Sequence, residues 1–172
     1  MFDDLRRRYV DLAQPRLGSE VVFATDDFFA DKSRLIDPAP PVFVPGKYDD
    51  NGKWMDGWET RRRREPGNDW AVLELGTFGR IDEVVVDTAH FKGNYPDRCS
   101  IQATARAHGT PEEIAAQAEA WPLLLPEAKL QADHVHTFRD ELASVGPVRF
   151  VRLNIFPDGG VSRLRLIGTA VR

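Results

Sequence analysis

Cysteine is almost absent from this sequence, whose 172 residues include a single one, Cys99. A disulfide within the chain needs two cysteines and a cysteine-based zinc site needs several, so both are excluded. Cys99 follows Pro96, Asp97 and Arg98 and has no neighbouring base, so we interpret it as an ordinary small residue and not as a nucleophile. Because disulfides are not used, we expect a reducing compartment, namely the cytoplasm.

Long apolar runs are also lacking. No stretch approaches the roughly 20 apolar residues of a transmembrane helix, and the first residues are too charged for a secretion signal. The composition, with 42% hydrophobic and 29% charged residues at a mean hydropathy of -0.40, is typical of a soluble globular protein. We therefore expect one domain over residues 1–172, with no membrane partner.

Lysine is scarce, since it accounts for five of the 23 basic residues. The others are arginine, which can bind a carboxylate through two parallel hydrogen bonds. Four arginines are consecutive at positions 61–64, but Glu59 and Glu65 flank this run and the formal net charge is -4. We therefore expect no nucleic-acid partner, because phosphate-backbone binding favours a basic surface.

The arginine run belongs to the most unusual stretch of the sequence, residues 54–64. This stretch combines Trp54 and Trp58 with the carboxylates Asp56 and Glu59 ahead of the four guanidinium groups. One interpretation is a surface segment that its tryptophans anchor and whose arginines are solvated. The other is the wall of a polar pocket, in which an anion site adjoins an acid or a base.

Most of the predicted secondary structure consists of strands separated by glycine- and proline-rich turns. The predicted strands cover residues 20–25, 69–76, 81–91, 100–105, 148–156 and 161–168. A turn at 77–80 would pair the second strand with the third, and residues 37–53 and 121–126 are expected to be irregular. Helices are predicted at 3–13 and from Pro111, where Thr110 and Glu113 form a capping box. The sequence therefore predicts an all-β protein, an antiparallel β-sandwich with one or two short peripheral helices.

A tight hairpin at residues 157–160 would pair the last two strands directly. It would place Arg152 opposite Arg165, and like charges across a ladder need an acidic neighbour or an anion. Placement of the two strands in different sheets would abolish this register.

Histidines occur at three positions of interest. His134 and His136 share one face of a predicted strand and could bind a metal, but no third ligand is in view, so an exposed edge strand is the alternative. We predict no metal and no cofactor. His90 would share a strand face with Lys92, whereas Asp87 would lie on the other face and could not orient His90 without a bulge.

Four stretches together resemble the allantoicase family, in the family's order and over nearly the whole chain. They are Thr-Asp-Asp-Phe-Phe-Ala at 25–30, Trp-Met-Asp-Gly-Trp-Glu-Thr-Arg-Arg at 54–62, Asp-Thr-Ala-His-Phe-Lys-Gly-Asn-Tyr-Pro at 87–96, and Leu-Asn-Ile-Phe-Pro-Asp-Gly-Gly-Val-Ser-Arg-Leu-Arg at 153–165. The resemblance implies a galactose-binding-like jelly roll. It also implies hydrolysis of allantoate to ureidoglycolate and urea in purine and ureide breakdown.

The number of repeats departs from the family pattern. Family enzymes usually carry two tandem repeats, whereas this sequence contains one copy of each of these stretches. If activity depends on the contact between two repeats, the chain must either associate with itself or be inactive. We therefore predict a homo-oligomer.

Substrate binding by an enzyme of this kind requires a cation for the carboxylate of allantoate. The candidates are Arg62, Arg64 and Arg163, since guanidinium binds carboxylate with two hydrogen bonds. Asn94 and Asp158 complete the predicted substrate-binding set. The backbone amides that follow Asp158 could also contact an anion.

Catalysis requires an acid for the departing urea nitrogen and a base for water or for the retained ureido N–H. His90 is the candidate acid because imidazole titrates near neutral pH. Asp56, Glu59 and Asp26 are the candidate bases.

Two other functions stay open. The chain could be a non-catalytic jelly-roll module that binds a small ligand, or a subunit of a larger ureide-degrading complex. The enzymatic function is favoured if one cleft is lined by Arg62, His90, Asp26 and Arg163. The binding or structural role is favoured if these residues are separated.

Overall fold

Antiparallel strands form nearly all of the regular structure in the computed structural model, which describes residues 9–171. The strands in chain order are β1 (Val10–Asp11), β2 (Glu20–Ala24), β3 (Tyr48–Asp49), β4 (Gly52–Lys53), β5 (Trp58–Glu59), β6 (Asp69–Asp87), β7 (Arg98–Thr104), β8 (Leu123–Lys129), β9 (Val135–Phe138), β10 (Val148–Phe156), β11 (Gly160–Val161) and β12 (Arg163–Val171). The helical elements are α1 (Pro111–Gln117) and 3-10 turns at Pro15–Leu17, Lys32–Ile36 and Ala118–Ala120. Within residues 9–171, no helix is long and apolar enough to cross a membrane.

The main sheet curls into two layers that share the long strand β6. The first half of β6 pairs with β2 and β10, and the layer continues from β10 through β7 to β8. The second half pairs with β12 and β9, and β12 pairs with β1. The core between the strands is apolar and includes Leu73, Val86, Leu153 and Leu164. The predicted antiparallel β-sandwich is confirmed.

The turn predicted at residues 77–80 is wrong, because β6 runs unbroken from Asp69 to Asp87. Two glycines that resemble turn residues instead allow another segment to approach the strand closely. A Cβ at Gly76 would lie 1.9 Å from the carbonyl oxygen of Leu17, and one at Gly79 would lie 2.5 Å from Leu12 Cδ1. The strand predicted over 81–91 also ends early, at Asp87.

Two further boundaries differ from the prediction. The end of the helix predicted at 3–13 is instead β1, paired with β12, while positions 3–8 lie outside the described residues. The segment predicted to be an irregular loop at 121–126 contains the start of β8, which pairs with β7. In both places the backbone hydrogen bonds of a neighbouring strand override the local pattern.

The predicted hairpin register is wrong because β6 lies between β10 and β12. Arg152 and Arg165 are therefore not opposite each other. The Arg152 guanidinium lies 4.0 Å from the centre of the Trp70 ring, a cation–π contact. Arg165 donates a hydrogen bond to the carbonyl oxygen of Asp37 instead.

Helix α1 begins as predicted. The hydroxyl of Thr110 accepts a hydrogen bond from the backbone N–H of Glu113, and the Glu113 carboxylate accepts one from the backbone of Thr110.

In the sheet, burial raises the pKa of Cys99 to about 12, as expected for an inert thiol.

The paired histidines differ in environment. His136 is buried, its Nδ1 lies 2.8 Å from the carbonyl oxygen of Val86, and its Nε2 accepts a hydrogen bond from the backbone N–H of Gln131 at 2.8 Å. Because a backbone N–H can only donate, Nε2 carries no proton and Nδ1 is the donor. Both ring nitrogens are thus engaged with the backbone, so His136 is not free to join His134 as a metal ligand.

Candidate functional site

A pocket of about 480 Å³ opens beside β5, between the loop at 88–94 and the segment at 42–53 that contains β3 and β4. Part of its wall is apolar and consists of Phe29, Phe43 and Met55. The polar side chains that line it are Asn51, Lys53, Glu59, His90, Lys92 and Asn94. Three of the four stretches that resemble a known family contribute to this one pocket, which we call the Glu59 pocket.

Glu59 is the buried carboxylate of this pocket, with 7% of its surface exposed. Its Oε2 accepts a hydrogen bond from Asn94 Nδ2. Burial raises the pKa of Glu59, and the hydrogen bond from Asn94 and the charge of Lys53 only partly offset this effect. A carboxyl group with a raised pKa is a stronger proton acceptor, once ionised, than an ordinary carboxylate.

The turn before β11 holds Asn94 in place. The backbone N–H of Gly160 donates to the carbonyl oxygen of Asn94 at 2.8 Å, and a Cβ at Gly160 would lie 2.0 Å from the Phe91 ring. Only glycine fits this close approach. Asp158, predicted to bind substrate, lies in the same turn, where its carboxylate accepts a hydrogen bond from the backbone N–H of Arg63 at 2.9 Å.

His90 lies in a tight turn and not on a strand, so the predicted sharing of strand faces does not apply. Its φ of 72° is left-handed, and its backbone N–H donates to Asp133 Oδ1 at 2.8 Å. The ring stacks at 6.0 Å on Phe43, and Nε2 lies 3.3 Å from the carbonyl oxygen of Pro41. The imidazole therefore lines the same pocket as Glu59.

The cations of this pocket are lysines, which the sequence reasoning missed. Lys53 and Lys92 both line it, and Lys53 Nζ lies 4.7 Å from the centre of the Phe43 ring. Their signal was present in the sequence, because lysine is scarce and Lys92 lies within one of the four stretches.

Asp56 and Arg163 lie outside the pocket, in a buried ion-pair cluster. Arg163 Nη2 donates to Asp56 Oδ2 at 2.9 Å, and Arg34 Nη2 donates to Asp56 Oδ1 at 2.6 Å. Arg163 is 1% exposed and also donates to the carbonyl oxygens of Ala39, Arg34 and Ser162. With their polar atoms occupied, Asp56 and Arg163 are placed to hold loops together and not to receive a substrate.

The pKa of Asp56 reflects this cluster. Burial raises it, but the hydrogen bonds from Arg34, the backbone of Val42 and Arg163 outweigh burial and hold the pKa below its usual range. A carboxylate held ionised in this way is a poor proton acceptor.

Arg62, Arg64 and Asp26 lie in a separate surface depression. This arginine depression is lined by Thr25, Asp26, Arg61, Arg62, Arg63, Arg64, Glu65 and Asp69. Asp26 is occupied there, because both of its carboxylate oxygens accept hydrogen bonds from Arg61. Arg62, Asp26, His90 and Arg163 therefore do not converge on one cleft, and by the criterion set from the sequence their separation favours the binding or structural role.

Comparison with known proteins decides the family. The model of the allantoicase repeat matches residues 10–171, nearly the whole chain. The chain belongs to the allantoicase family. Probable allantoicase 1 of Burkholderia mallei is 47% identical to it over 165 residues, which cover 96% of this chain and 47% of that relative. The chain thus spans about half the length of such allantoicase relatives.

A second relative aligns with this chain over more residues than the chain contains. Probable allantoicase 2 of Burkholderia pseudomallei is 33% identical over 319 aligned residues, which cover 94% of this chain and 95% of the relative. Because 319 aligned residues exceed the 172 of this chain, the chain matches that allantoicase more than once. The aligned length is therefore about twice that of the repeat matched in this chain.

Solved structures confirm the jelly-roll fold. A structure of allantoicase superposes with a TM-score of 0.81 at 31% identity, over 95% of this chain and 49% of that one. The family 32 carbohydrate-binding module of C. perfringens NanJ, solved with galactose, has a TM-score of 0.58 at 12% identity, over 92% of this chain and 98% of that one. The second likeness concerns the fold alone.

Proposed function

We propose that this chain hydrolyses allantoate to ureidoglycolate and urea in the Glu59 pocket. The observation that carries the proposal is the presence of Glu59 and His90 in one pocket of a chain that belongs to the allantoicase family. The pocket also holds two ammonium groups for a substrate carboxylate, and apolar walls that exclude water from part of it.

Lys53 and Lys92 take the role that the sequence reasoning gave to arginines. Their ammonium groups bind the allantoate carboxylate, which places the carbon that carries the two ureido groups between Glu59 and His90. Asn94 fixes the Glu59 carboxylate through their hydrogen bond.

The reaction replaces one C–N bond with a C–O bond. Glu59 accepts a proton from the attacking water, whose oxygen bonds to the central carbon. His90 donates a proton to the urea nitrogen as the C–N bond breaks. The products are ureidoglycolate, which keeps the new hydroxyl group, and neutral urea.

Urea release from allantoate by the purified chain tests this proposal. Glu59→Gln and His90→Asn should each lower kcat by about 10²-fold or more, the usual contribution of a general acid or base. Glu65→Gln, a matched change of an exposed glutamate outside the pocket, should leave kcat unchanged. Absence of urea at high protein concentration, in a folded oligomeric preparation, would remove the enzymatic proposal.

The acid limb of the pH profile gives a second test. The proposed base must be ionised to accept a proton, so kcat/KM should rise as pH rises through the raised pKa of Glu59. An unchanged acid limb in a residually active Glu59→Asp variant would argue against Glu59 as the base.

A binding module is the second candidate, favoured by Phe29 and Phe43 on the pocket wall and by the separation of the four residues on which the sequence criterion rested. It predicts that the chain binds allantoate, measured by calorimetry, without releasing urea. Lys53→Gln should weaken this binding in either case, whereas the matched change Lys47→Gln, outside the pocket, should not.

We also propose that residues 1–172 form one jelly-roll repeat that associates with a second copy of itself in the cytoplasm. Relatives about twice as long as this chain support the association, and the lone buried Cys99 supports a reducing compartment. A monomer by light scattering at micromolar concentration would contradict the association.

A further inference from the structure

The arginine depression is a second concave site, of about 480 Å³, that the proposed reaction does not use. It contains all four consecutive arginines of the sequence. The Glu59 pocket shares no lining residue with it. The arginine run at 61–64 therefore needs an explanation of its own.

Alternate arginines of the run fix the backbone of this segment. Arg61 donates to Asp26 from its backbone at 2.7 Å and from its guanidinium at 2.8 Å. Arg63 donates from its backbone to Asp158 at 2.9 Å and from its guanidinium to Asp69 at 3.0 Å. The segment is thus attached at two points, each through the main chain and a side chain.

Arg62 lies between the two attached arginines, and Arg64 follows the second of them. Both are exposed, and neither forms an ion pair with a side chain among residues 9–171. Their two like charges lie two residues apart on a fixed segment, and an anion bound between them would reduce their repulsion. Because the main chain of this segment is already ordered, binding an anion between Arg62 and Arg64 requires little further ordering of the main chain.

Two residues that line the depression, Arg63 and Asp69, each hold a buried polar atom without a partner in the described part of the chain. Arg63 Nε and Asp69 Oδ2 are buried and have no hydrogen-bond partner among the described residues, and Asp69 is 2% exposed. Burial of an unpaired polar atom is costly, and a bound water molecule or ion relieves that cost. An acceptor beside guanidinium groups suits an anion that also carries a proton.

We propose that the arginine depression binds a small protonated oxyanion, of which hydrogen phosphate is the simplest. Arg62 and Arg64 donate hydrogen bonds to its anionic oxygens. Asp69 Oδ2 accepts the hydrogen bond of its O–H group, and Arg63 Nε donates to a further oxygen. A fully ionised oxyanion lacks the O–H group and leaves Asp69 unpaired beside a negative charge.

Calorimetric titration of the full chain at pH 7 with inorganic phosphate and, separately, with sulfate tests the site. Phosphate keeps a proton at this pH and sulfate does not, so phosphate should bind at least about ten-fold more tightly, the effect of one hydrogen bond to a charged group. In Asp69→Asn this preference should disappear. Equal affinity for the two anions in the wild-type chain would overturn the role of Asp69 without reliance on that variant.

Matched charge variants then locate the site. The double variant R62Q/R64Q should weaken phosphate binding by at least about ten-fold. R16Q/R106Q removes the same charge from exposed arginines elsewhere and should leave affinity unchanged, as should K53Q/K92Q in the Glu59 pocket. No saturable binding, or equal losses in R62Q/R64Q and R16Q/R106Q, would overturn the proposal.

Discussion

Replacement of Arg163 by methionine should destabilise the fold strongly, although no atom of the Glu59 pocket is removed. The side chain is 1% exposed, and its partner Asp56 is 4% exposed. Removal of the guanidinium leaves part of the Asp56 charge uncompensated and the carbonyl oxygens of Ala39 and Ser162 without this donor.

The size of the effect follows from burial. Breaking a buried ion pair by removing one partner costs about 3–5 kcal/mol. For a chain of this length each kcal/mol lowers Tm by about 2–4 °C, so the expected shift is about 6–20 °C. Urea denaturation at pH 7 measures the free energy of unfolding directly.

Arg61→Met is the matched control. Arg61 and Asp26 form an ion pair of similar length, 2.8 Å against 2.9 Å for Arg163 and Asp56, but the Arg61 side chain is 61% exposed. Solvent screens an exposed pair, so this variant should unfold close to the wild-type denaturant concentration. An Arg163→Met variant that is no less stable than Arg61→Met would refute the assignment of the buried cluster as structural.

Three further outcomes are expected. Burial lowers the pKa of His136, so on acidification the unfolded chain takes up this proton at a higher pH than the folded chain. The free energy of unfolding should therefore fall as pH drops below about 6.5. Urea denaturation from pH 7 to 5 should show a shallower fall in the His136→Gln variant. Gly160→Ala should cost about 1–3 kcal/mol in the same assay, because its Cβ would meet the Phe91 ring. Cys99 should not react with a thiol reagent until urea unfolds the chain, since it is buried and its pKa is raised to about 12; rapid labelling of the native chain would contradict this.

The sequence was informative wherever neighbouring residues decide the structure. The capping box at Thr110 is local, and alternation within single strands predicted most of their positions. Strand partners depend on distant segments, so the neighbour of β10 and β12 could not be found from either strand alone. The turn predicted at 77–80 was wrong because the close approach of Gly76 to Leu17 and of Gly79 to Leu12 leaves no signal in the local sequence.

For the candidate site, the types of residue were predicted better than the directions in which their side chains point. Glu59, His90 and Asn94 were named from the sequence and share one pocket. Asp56 and Arg163 were named for the same chemistry, but side-chain pairing places them in a buried cluster. Whether a charged residue faces a pocket or a partner depends on which loops pack against it, and a single sequence does not contain that information.

Strand β6 has a consequence for how this chain can be cut or rearranged. Its 19 residues pair with β2, β9, β10 and β12, so both layers depend on one uninterrupted peptide segment. New termini within β6 would divide both layers, whereas new termini near Gly46, whose added Cβ would meet nothing within 4 Å, would leave all four pairings intact. Circular permutants and split reporters based on this repeat should therefore open the loop at 42–47 and keep β6 whole.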